Sequence, residues 1–159
     1  ALRVQEIFLG QSGIGTARAE LLAALNRGVL MVQYFGHGSE STWSSQGLLT
    51  IPDVQALTNG LNLPVVIAMN CFNGLFQDVY SESLAEALLN AEQGGAVAVW
   101  ASSGATDPNQ QMIMDRALAQ LLFETSTLGE AILRAKLAVP DQDVRRTWIL
   151  FGDPATRLR

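Results

Sequence analysis

The chain has 159 residues, a formal net charge of -5, and 48% hydrophobic against 16% charged residues. This length and hydrophobic content fit one compact domain with its own core and exclude a disordered chain. The acidic balance leaves no basic surface for nucleic acid, and no apolar run nears the ~20 residues of a membrane-spanning helix.

The first part of the chain predicts a strand, a loop, a helix and a second strand. Residues 3–9 alternate and then run apolar, as in a strand, and residues 10–16 are rich in turn-forming residues. An apolar helical stripe follows, with Thr16 as its cap and Gly28 at its end. Residues 29–35 form an apolar, β-branched run, which is typical of a strand buried on both faces of a parallel sheet.

The middle of the chain repeats the alternation of helix and strand. Residues 50–60 predict a short helix, because a threonine cap and an early proline precede a closing glycine. Residues 63–69 predict another buried strand. Ser83 and Glu86 have the spacing of a capping box at the start of the next helix, and residues 96–102 predict a further buried strand.

The last part of the chain predicts two helices and a final strand. A helical pattern covers residues 110–122, Thr127 and Glu130 form a second capping box, and residues 147–154 read as a strand that runs into a turn. The alternation along the chain indicates an α/β fold, in which helices cover both faces of a mostly parallel sheet.

Two residues that occur once each follow consecutive buried strands. His37, between two glycines, follows residues 29–35, and Cys71 follows residues 63–69. Ligands of such sheets bind beyond the carboxyl ends of the strands, and adjacent strands lie about 5 Å apart. We therefore expect both side chains at one crevice if the strands are neighbours. The alternative is that Cys71 is a small buried hydrophobe and His37 an ordinary loop residue.

A reactive pair at this crevice has a clear chemical basis. A free thiol, with a pKa of about 8.5, is mostly protonated at neutral pH, so a cysteine nucleophile needs a nearby base or positive field. His37 supplies both. The backbone N–H groups of Gly38 and Cys71 are candidate donors to an oxyanion.

The residues around this pair resemble a known family. "YFGHGS", followed by a strand and "AMNCFNG", resembles the His-Gly and Ala-x-x-Cys signatures of the gingipain-type cysteine peptidases of the caspase-like clan. "GGAVAVWASSG", "TLGEAILRAK" and "LFGDPATRL" extend the resemblance over nearly the whole chain. It implies a caspase-like fold in which Cys71 attacks the scissile carbonyl of a polypeptide substrate, His37 protonates the leaving amine, and neither a metal nor an organic cofactor takes part.

The resemblance also indicates where a substrate side chain binds, but not which one. The family's pocket residues correspond to Phe35, Met69 and the loop over residues 101–109, within which we select Ala101, Ser102, Ser103 and Asp107. The tryptophan of arginine-cleaving members lies in that loop, whereas Trp100 precedes it, so we expect Trp100 in the core. Arginine specificity is not carried over.

Four further expectations follow from the resemblance. Residues 1–159 form the C-terminal portion of a catalytic domain. The chain lacks the first strand of the family fold, so a complementing segment or chain completes the sheet. The protein is secreted or displayed on a bacterial surface. Two alternatives to hydrolysis stay open, a sortase-like transpeptidase of the same family and an inactive caspase-like scaffold that binds proteins.

Overall fold

The computed structural model describes residues 3–158 and contains helices and strands in alternation. In chain order they are α1 (Leu9–Arg27), β1 (Met31–Phe35), β2 (Thr42–Trp43), β3 (Leu49–Thr50), α2 (Ile51–Gln55), β4 (Val65–Met69), α3 (Leu84–Asn90), β5 (Ala98–Ser102), α4 (Pro108–Leu121), α5 (Leu128–Leu137), α6 (Gln142–Thr147) and β6 (Trp148–Gly152).

A four-stranded sheet forms the centre of the molecule. Its order is β1, β4, β5, β6, and β4 pairs in parallel with both β1 and β5. The last strand, β6, pairs antiparallel with β5. Strands β2 and β3 form a separate hairpin. Within residues 3–158, β1 and β6 are therefore the two edges of the sheet, and the predicted mostly parallel architecture is confirmed.

Helices cover both faces of the sheet because the side chains of β4 alternate between two cores. Val66 and Ala68 pack in a core that includes residues of α1 and α3. Val65, Ile67 and Met69 pack in the other core with residues of α4 and α5. All five side chains are at most 1% exposed, so a continuous apolar run is the pattern that a central strand requires.

The predicted capping signals fix two helix beginnings. The backbone N–H of Thr50 donates to Oδ2 of Asp53 at 3.0 Å, and the N–H of Ser83 donates to Oε2 of Glu86 at 2.9 Å. Arg18 on α1 also forms an ion pair with Asp53, which connects α1 to the start of α2. The helix predicted over residues 50–60 is shorter than expected, since α2 ends at Gln55.

Two predictions at the start of the chain are wrong. Residues 3–8 lie in neither a helix nor a strand, and Leu9, the last residue of the predicted strand, begins α1. The predicted loop over residues 10–16 is also helical, apart from Gly13, whose φ of 73° interrupts the helix. Alternation alone does not make a strand, because the backbone groups of a strand need a neighbour to pair with.

The exposure of β1 also differs from the prediction. Gln33 is exposed and Phe35 is 52% exposed, whereas a strand buried on both faces was expected. β1 carries apolar residues like a central strand, yet within residues 3–158 it pairs with β4 alone. Helix α6 and the β2–β3 hairpin lack a clear signal in the sequence, because both are short.

Candidate active site

The register of β1 and β4 brings the two singleton residues to the same edge of the sheet. Phe35 pairs with Met69, so His37 and Cys71 each lie two residues beyond this last pair. The N–H of Gly36 donates to the Met69 carbonyl at 3.3 Å and extends the contact past the strands. Since parallel neighbours are about 4.8 Å apart, the His37 and Cys71 loops leave the sheet side by side, as the sequence predicted.

The backbone of His37 is held by the hairpin that follows it. Its carbonyl accepts hydrogen bonds from the N–H of Ser44 at 2.8 Å and from the hydroxyl of Tyr34 at 2.7 Å. Burial raises the pKa of Tyr34, partly opposed by the N–H of Ser44, so this hydroxyl stays protonated and keeps its donor. The Tyr34 ring stacks on Trp43, with centroids 4.5 Å apart. Trp43 is 1% exposed, so it fixes the loop from within, while the side chain of His37 is exposed.

The turn after Cys71 has an unusual backbone conformation. Phe72 has a φ of 62°, in the left-handed region, which costs an ordinary residue about 1–2 kcal/mol. Two hydrogen bonds hold this turn to the loop after β5: the N–H of Phe72 donates to the Gly104 carbonyl at 3.2 Å, and the N–H of Gly74 donates to the Ser102 carbonyl at 2.9 Å. The half-buried Cys71 thus sits on a sharp, braced turn.

A third loop touches the sulfur itself. The N–H of Thr106 lies 3.5 Å from the Cys71 Sγ, and the Thr106 carbonyl lies 3.7 Å from it. The hydroxyl of Thr106 accepts a hydrogen bond of 2.6 Å from the side chain of Gln111 on α4. Thr106 lies in the pocket loop predicted over residues 101–109, but its contact with the thiol was not predicted.

The first turn of α3 connects the His37 and Cys71 loops. The N–H of Leu84 donates to the Glu40 carbonyl at 2.7 Å, and the N–H of Ala85 donates to the Asn73 carbonyl at 3.0 Å. The first N–H groups of a helix have no partner within the helix. Here they bind one carbonyl from each loop, so a single helix end fixes the position of one loop relative to the other.

The two N–H groups expected to bind an oxyanion have no competing acceptor. Among residues 3–158, neither the N–H of Gly38 nor that of Cys71 makes a hydrogen bond, although those of Ser39 and Phe72 do. Both free donors lie just beyond the ends of β1 and β4, since Gly38 is three residues after Phe35 and Cys71 is two residues after Met69. The arrangement therefore offers a thiol, an exposed imidazole and two unused backbone donors at one edge of the sheet.

Three of the predicted pocket residues reach the surface. Phe35 is exposed at the end of β1. Ser103 is half-buried, and its N–H donates to the Thr147 carbonyl at 2.7 Å. Asp107 is exposed and caps α4, because its carboxylate accepts from the N–H of Asn109 at 2.9 Å. These three side chains lie around the loops that carry the candidate pair.

The other predicted pocket residues face inward. Met69, Ala101 and Ser102 are each 0% exposed, so in this structure their side chains have no surface that a substrate could touch. The hydroxyl of Ser102 instead bonds to the carbonyl of Gly104 at 2.9 Å. Trp100 is fully buried against Trp148, with ring centroids 5.1 Å apart. The expectation that Trp100 belongs to the core is confirmed.

Neither a metal cluster nor a membrane helix occurs in the part of the chain that the structure describes. No group of three or more His, Cys, Asp and Glu side chains among residues 3–158 converges as metal ligands do. Over the same residues, the helices fall short of the length and apolar character needed to cross a bilayer.

Comparison with known proteins assigns the chain to a family. The family model described as peptidase family C25 matches residues 2–159. Gingipain R2 and gingipain R1 of Porphyromonas gingivalis are each 28% identical to the chain over 160 residues. The matched region covers 91% of this chain but 22% and 16% of those proteins. The chain thus spans about a fifth of the length of these curated relatives.

Solved structures agree with this assignment. The crystal structure of the Arg-specific cysteine proteinase gingipain R has a TM-score of 0.81 and 28% identity, over 89% of this chain and 36% of that one. The complex of the RgpB pro- and mature domains of Porphyromonas gingivalis gives a TM-score of 0.80 at 26% identity, over 89% and 37% of the two chains. The expected caspase-like α/β fold is confirmed. On the match of the family model over nearly all its residues, the chain belongs to peptidase family C25.

Proposed function

We propose that this chain carries the nucleophile and the general acid of a cysteine endopeptidase. The Cys71 thiolate attacks the carbonyl carbon of the scissile peptide bond. The carbon–nitrogen bond then breaks, and His37 gives its proton to the leaving amine. Water attacks the resulting thioester, His37 takes a proton of that water, and the carbon–sulfur bond breaks to release the acid product and restore the Cys71 thiolate beside protonated His37.

One observation carries this proposal. The loops bearing His37 and Cys71 leave two paired strands in register, and the first turn of α3 binds a carbonyl from each. A nucleophile and its acid need a fixed mutual geometry, since a misplacement of about 1 Å costs on the order of 100-fold in rate. The attachment of both loops to one helix end supports such a geometry.

The oxyanion donors and the pocket complete the proposed site. The N–H groups of Gly38 and Cys71 stabilise the negative oxygen of the tetrahedral intermediate, because both lack another acceptor within residues 3–158. Phe35, Ser103 and Asp107 contact the substrate side chain. Met69, Ala101 and Ser102 support the pocket from the core side, which is a narrower role than the one the sequence suggested.

Cleavage of a peptide library by the full-length protein tests the function. Cys71→Ala and His37→Ala are expected to abolish cleavage without unfolding the protein, and Ser45→Ala, at an exposed position of the neighbouring hairpin, serves as the control. Cleavage that survives in Cys71→Ala refutes the assignment. Addition of an amine nucleophile separates hydrolysis from transfer, since a transpeptidase joins the amine to the released acyl group.

We also propose that a complementing segment pairs with the free edge of β1. Residues 1–159 are the C-terminal portion of the catalytic domain, and another segment or chain adds a strand beside β1. Support comes from the single pairing of β1 within residues 3–158 and from the exposure of Phe35 and Leu30, which are 52% and 41% exposed. A strand edge with free N–H and C=O groups readily accepts another strand.

Amide hydrogen exchange tests the added strand. The N–H groups of β1 that point away from β4 are expected to exchange quickly in residues 1–159 alone and slowly in the full-length protein, whereas those of β4 exchange slowly in both. Fast exchange at β1 in the full-length protein contradicts the added strand. The family resemblance also supports a secreted or cell-surface location in a bacterium, which fractionation of the producing cells tests.

A further inference from the structure

Two asparagines on either side of Cys71 are almost completely buried, yet neither takes part in the proposed chemistry. Asn70 is 0% exposed and Asn73 is 1% exposed. A buried amide that lacks its hydrogen bonds costs about 1–3 kcal/mol. Two such groups in one short loop therefore call for a physical reason, and their contacts supply it.

The side chains of the two asparagines form a chain of hydrogen bonds from one loop to the other. Nδ2 of Asn70 donates to Oδ1 of Asn73 at 2.6 Å. Nδ2 of Asn73 in turn donates to the carbonyl of Ser39 and, at 3.4 Å, to the carbonyl of Thr42. Both carbonyls belong to the segment that follows His37, so the pair holds that segment against the Cys71 loop.

Asn70 also packs directly against one of the proposed oxyanion donors. A Cβ added to Gly38 would lie 2.1 Å from Nδ2 of Asn70 and 3.1 Å from the Thr42 carbonyl oxygen. The amide of Asn70 therefore occupies the space beside the Gly38 Cα. This contact sets how closely the backbone of Gly38 approaches the backbone that leads into Cys71.

One atom of this pair is difficult to explain by stability alone. Oδ1 of Asn70 is buried and has no hydrogen-bond partner within residues 3–158. An apolar side chain at residue 70 would remove this unpaired acceptor, but it would also leave the buried Oδ1 of Asn73 without its donor, which costs about 1–3 kcal/mol. The part of Asn70 that matters is then its donor, which binds Asn73.

We propose that Asn70 and Asn73 are positioning residues, which act as one hydrogen-bonded unit to fix the N–H of Gly38 and the backbone that carries His37 relative to Cys71. The inference rests on the proposed function. It predicts that loss of either amide impairs the chemical step rather than substrate binding, because the substrate touches neither buried side chain.

Kinetics of the full-length protein test the pair against a matched control. Asn73→Ala and Asn73→Asp are expected to lower kcat by about 100-fold with KM changed by less than about threefold. The control is Asn59→Ala. Asn59 is 3% exposed and also binds backbone groups, with Nδ2 3.0 Å from the Gly95 carbonyl, but it lies before β4. We expect Asn59→Ala to lower stability and leave kcat unchanged.

Alkylation of Cys71 by iodoacetamide gives a readout that does not depend on a peptide substrate. Measured from about pH 5 to about pH 9, its rate profile is expected to change in Asn73→Ala and to match the wild type in Asn59→Ala. Asn70→Ala provides a second variant, which removes the donor to Asn73. Combined with Asn73→Ala, it is expected to lower kcat no further than one substitution does, as for residues that act as a unit.

The outcomes separate this inference from the proposed function. If Cys71→Ala abolishes cleavage while the Asn70 and Asn73 variants keep the wild-type kcat and alkylation profile, the positioning role is refuted and the peptidase stands. If cleavage survives in Cys71→Ala, the peptidase assignment fails first. Additive losses in the double variant also refute the pair as a unit.

Discussion

Replacement of Gly38 by alanine should destabilise the protein because its Cα has no room for a methyl group. The new Cβ would lie 2.1 Å from Nδ2 and 2.8 Å from Cγ of Asn70, and 3.1 Å from the Thr42 carbonyl oxygen. Asn70 is fully buried and bonded to Asn73, so it has no free space to move into. Overpacking of this kind costs about 1–3 kcal/mol, and we expect about 2 kcal/mol for Gly38→Ala.

Urea unfolding measures this loss. With an m-value of about 2 kcal/mol/M, a loss of about 2 kcal/mol moves the midpoint down by about 1 M. Gly15→Ala is the control, because Gly15 lies in α1 and an added Cβ meets nothing within 4 Å. That substitution is expected to raise the free energy of unfolding by up to about 1 kcal/mol through helix propensity. A wild-type midpoint for Gly38→Ala would refute the steric reasoning.

Three further predictions concern other parts of the fold. Ser83→Ala removes the capping box of α3 and is expected to lower the free energy of unfolding by about 1 kcal/mol; unchanged urea unfolding would contradict this. Burial raises the pKa of Asp115, so its stabilising contribution is present below the ordinary carboxyl pKa and is lost as the pH rises through the raised value. Asp115→Asn should therefore stabilise the protein at neutral pH by only about a few tenths of a kcal/mol, because the side chain is partly exposed. At about pH 3 the substitution should have no effect. Equal stability of both proteins at neutral pH would argue against this reasoning. Trp100→Ala, at a fully buried site, should cost about 3–5 kcal/mol, and Trp100→Phe clearly less; thermal denaturation that ranks them in the opposite order would refute this.

The central sheet could be read from the sequence because its strands have a local signal. Residues 63–69 and 96–102 are continuous apolar runs, and β4 and β5 lie within them. The strand predicted over residues 3–9 failed because its short alternation is also compatible with an irregular segment that enters a helix. The position of β1 in the chain was predicted correctly, but its exposure was not, because a strand's place in the sheet depends on partners that are distant in sequence.

The candidate site, like the sheet, was predicted only in part. The sequence predicted the His37 and Cys71 loops because both follow strong strand signals and contain rare residues. It gave no indication of Asn70 or Asn73, because an asparagine in a loop usually forms a turn. The bonds of Asn73 to Ser39 and Thr42 span sequence separations of 34 and 31 residues, which no local pattern indicates. The complete burial of the Met69 side chain likewise depends on tertiary packing.

The edge of β1 also affects how the chain can be produced and handled. An unprotected apolar strand edge promotes intermolecular β-pairing and aggregation. Residues 1–159 expressed alone are therefore expected to accumulate as inclusion bodies. Phe35→Lys, at an exposed position of this strand, should increase the soluble yield, since charged residues on an edge strand oppose such pairing.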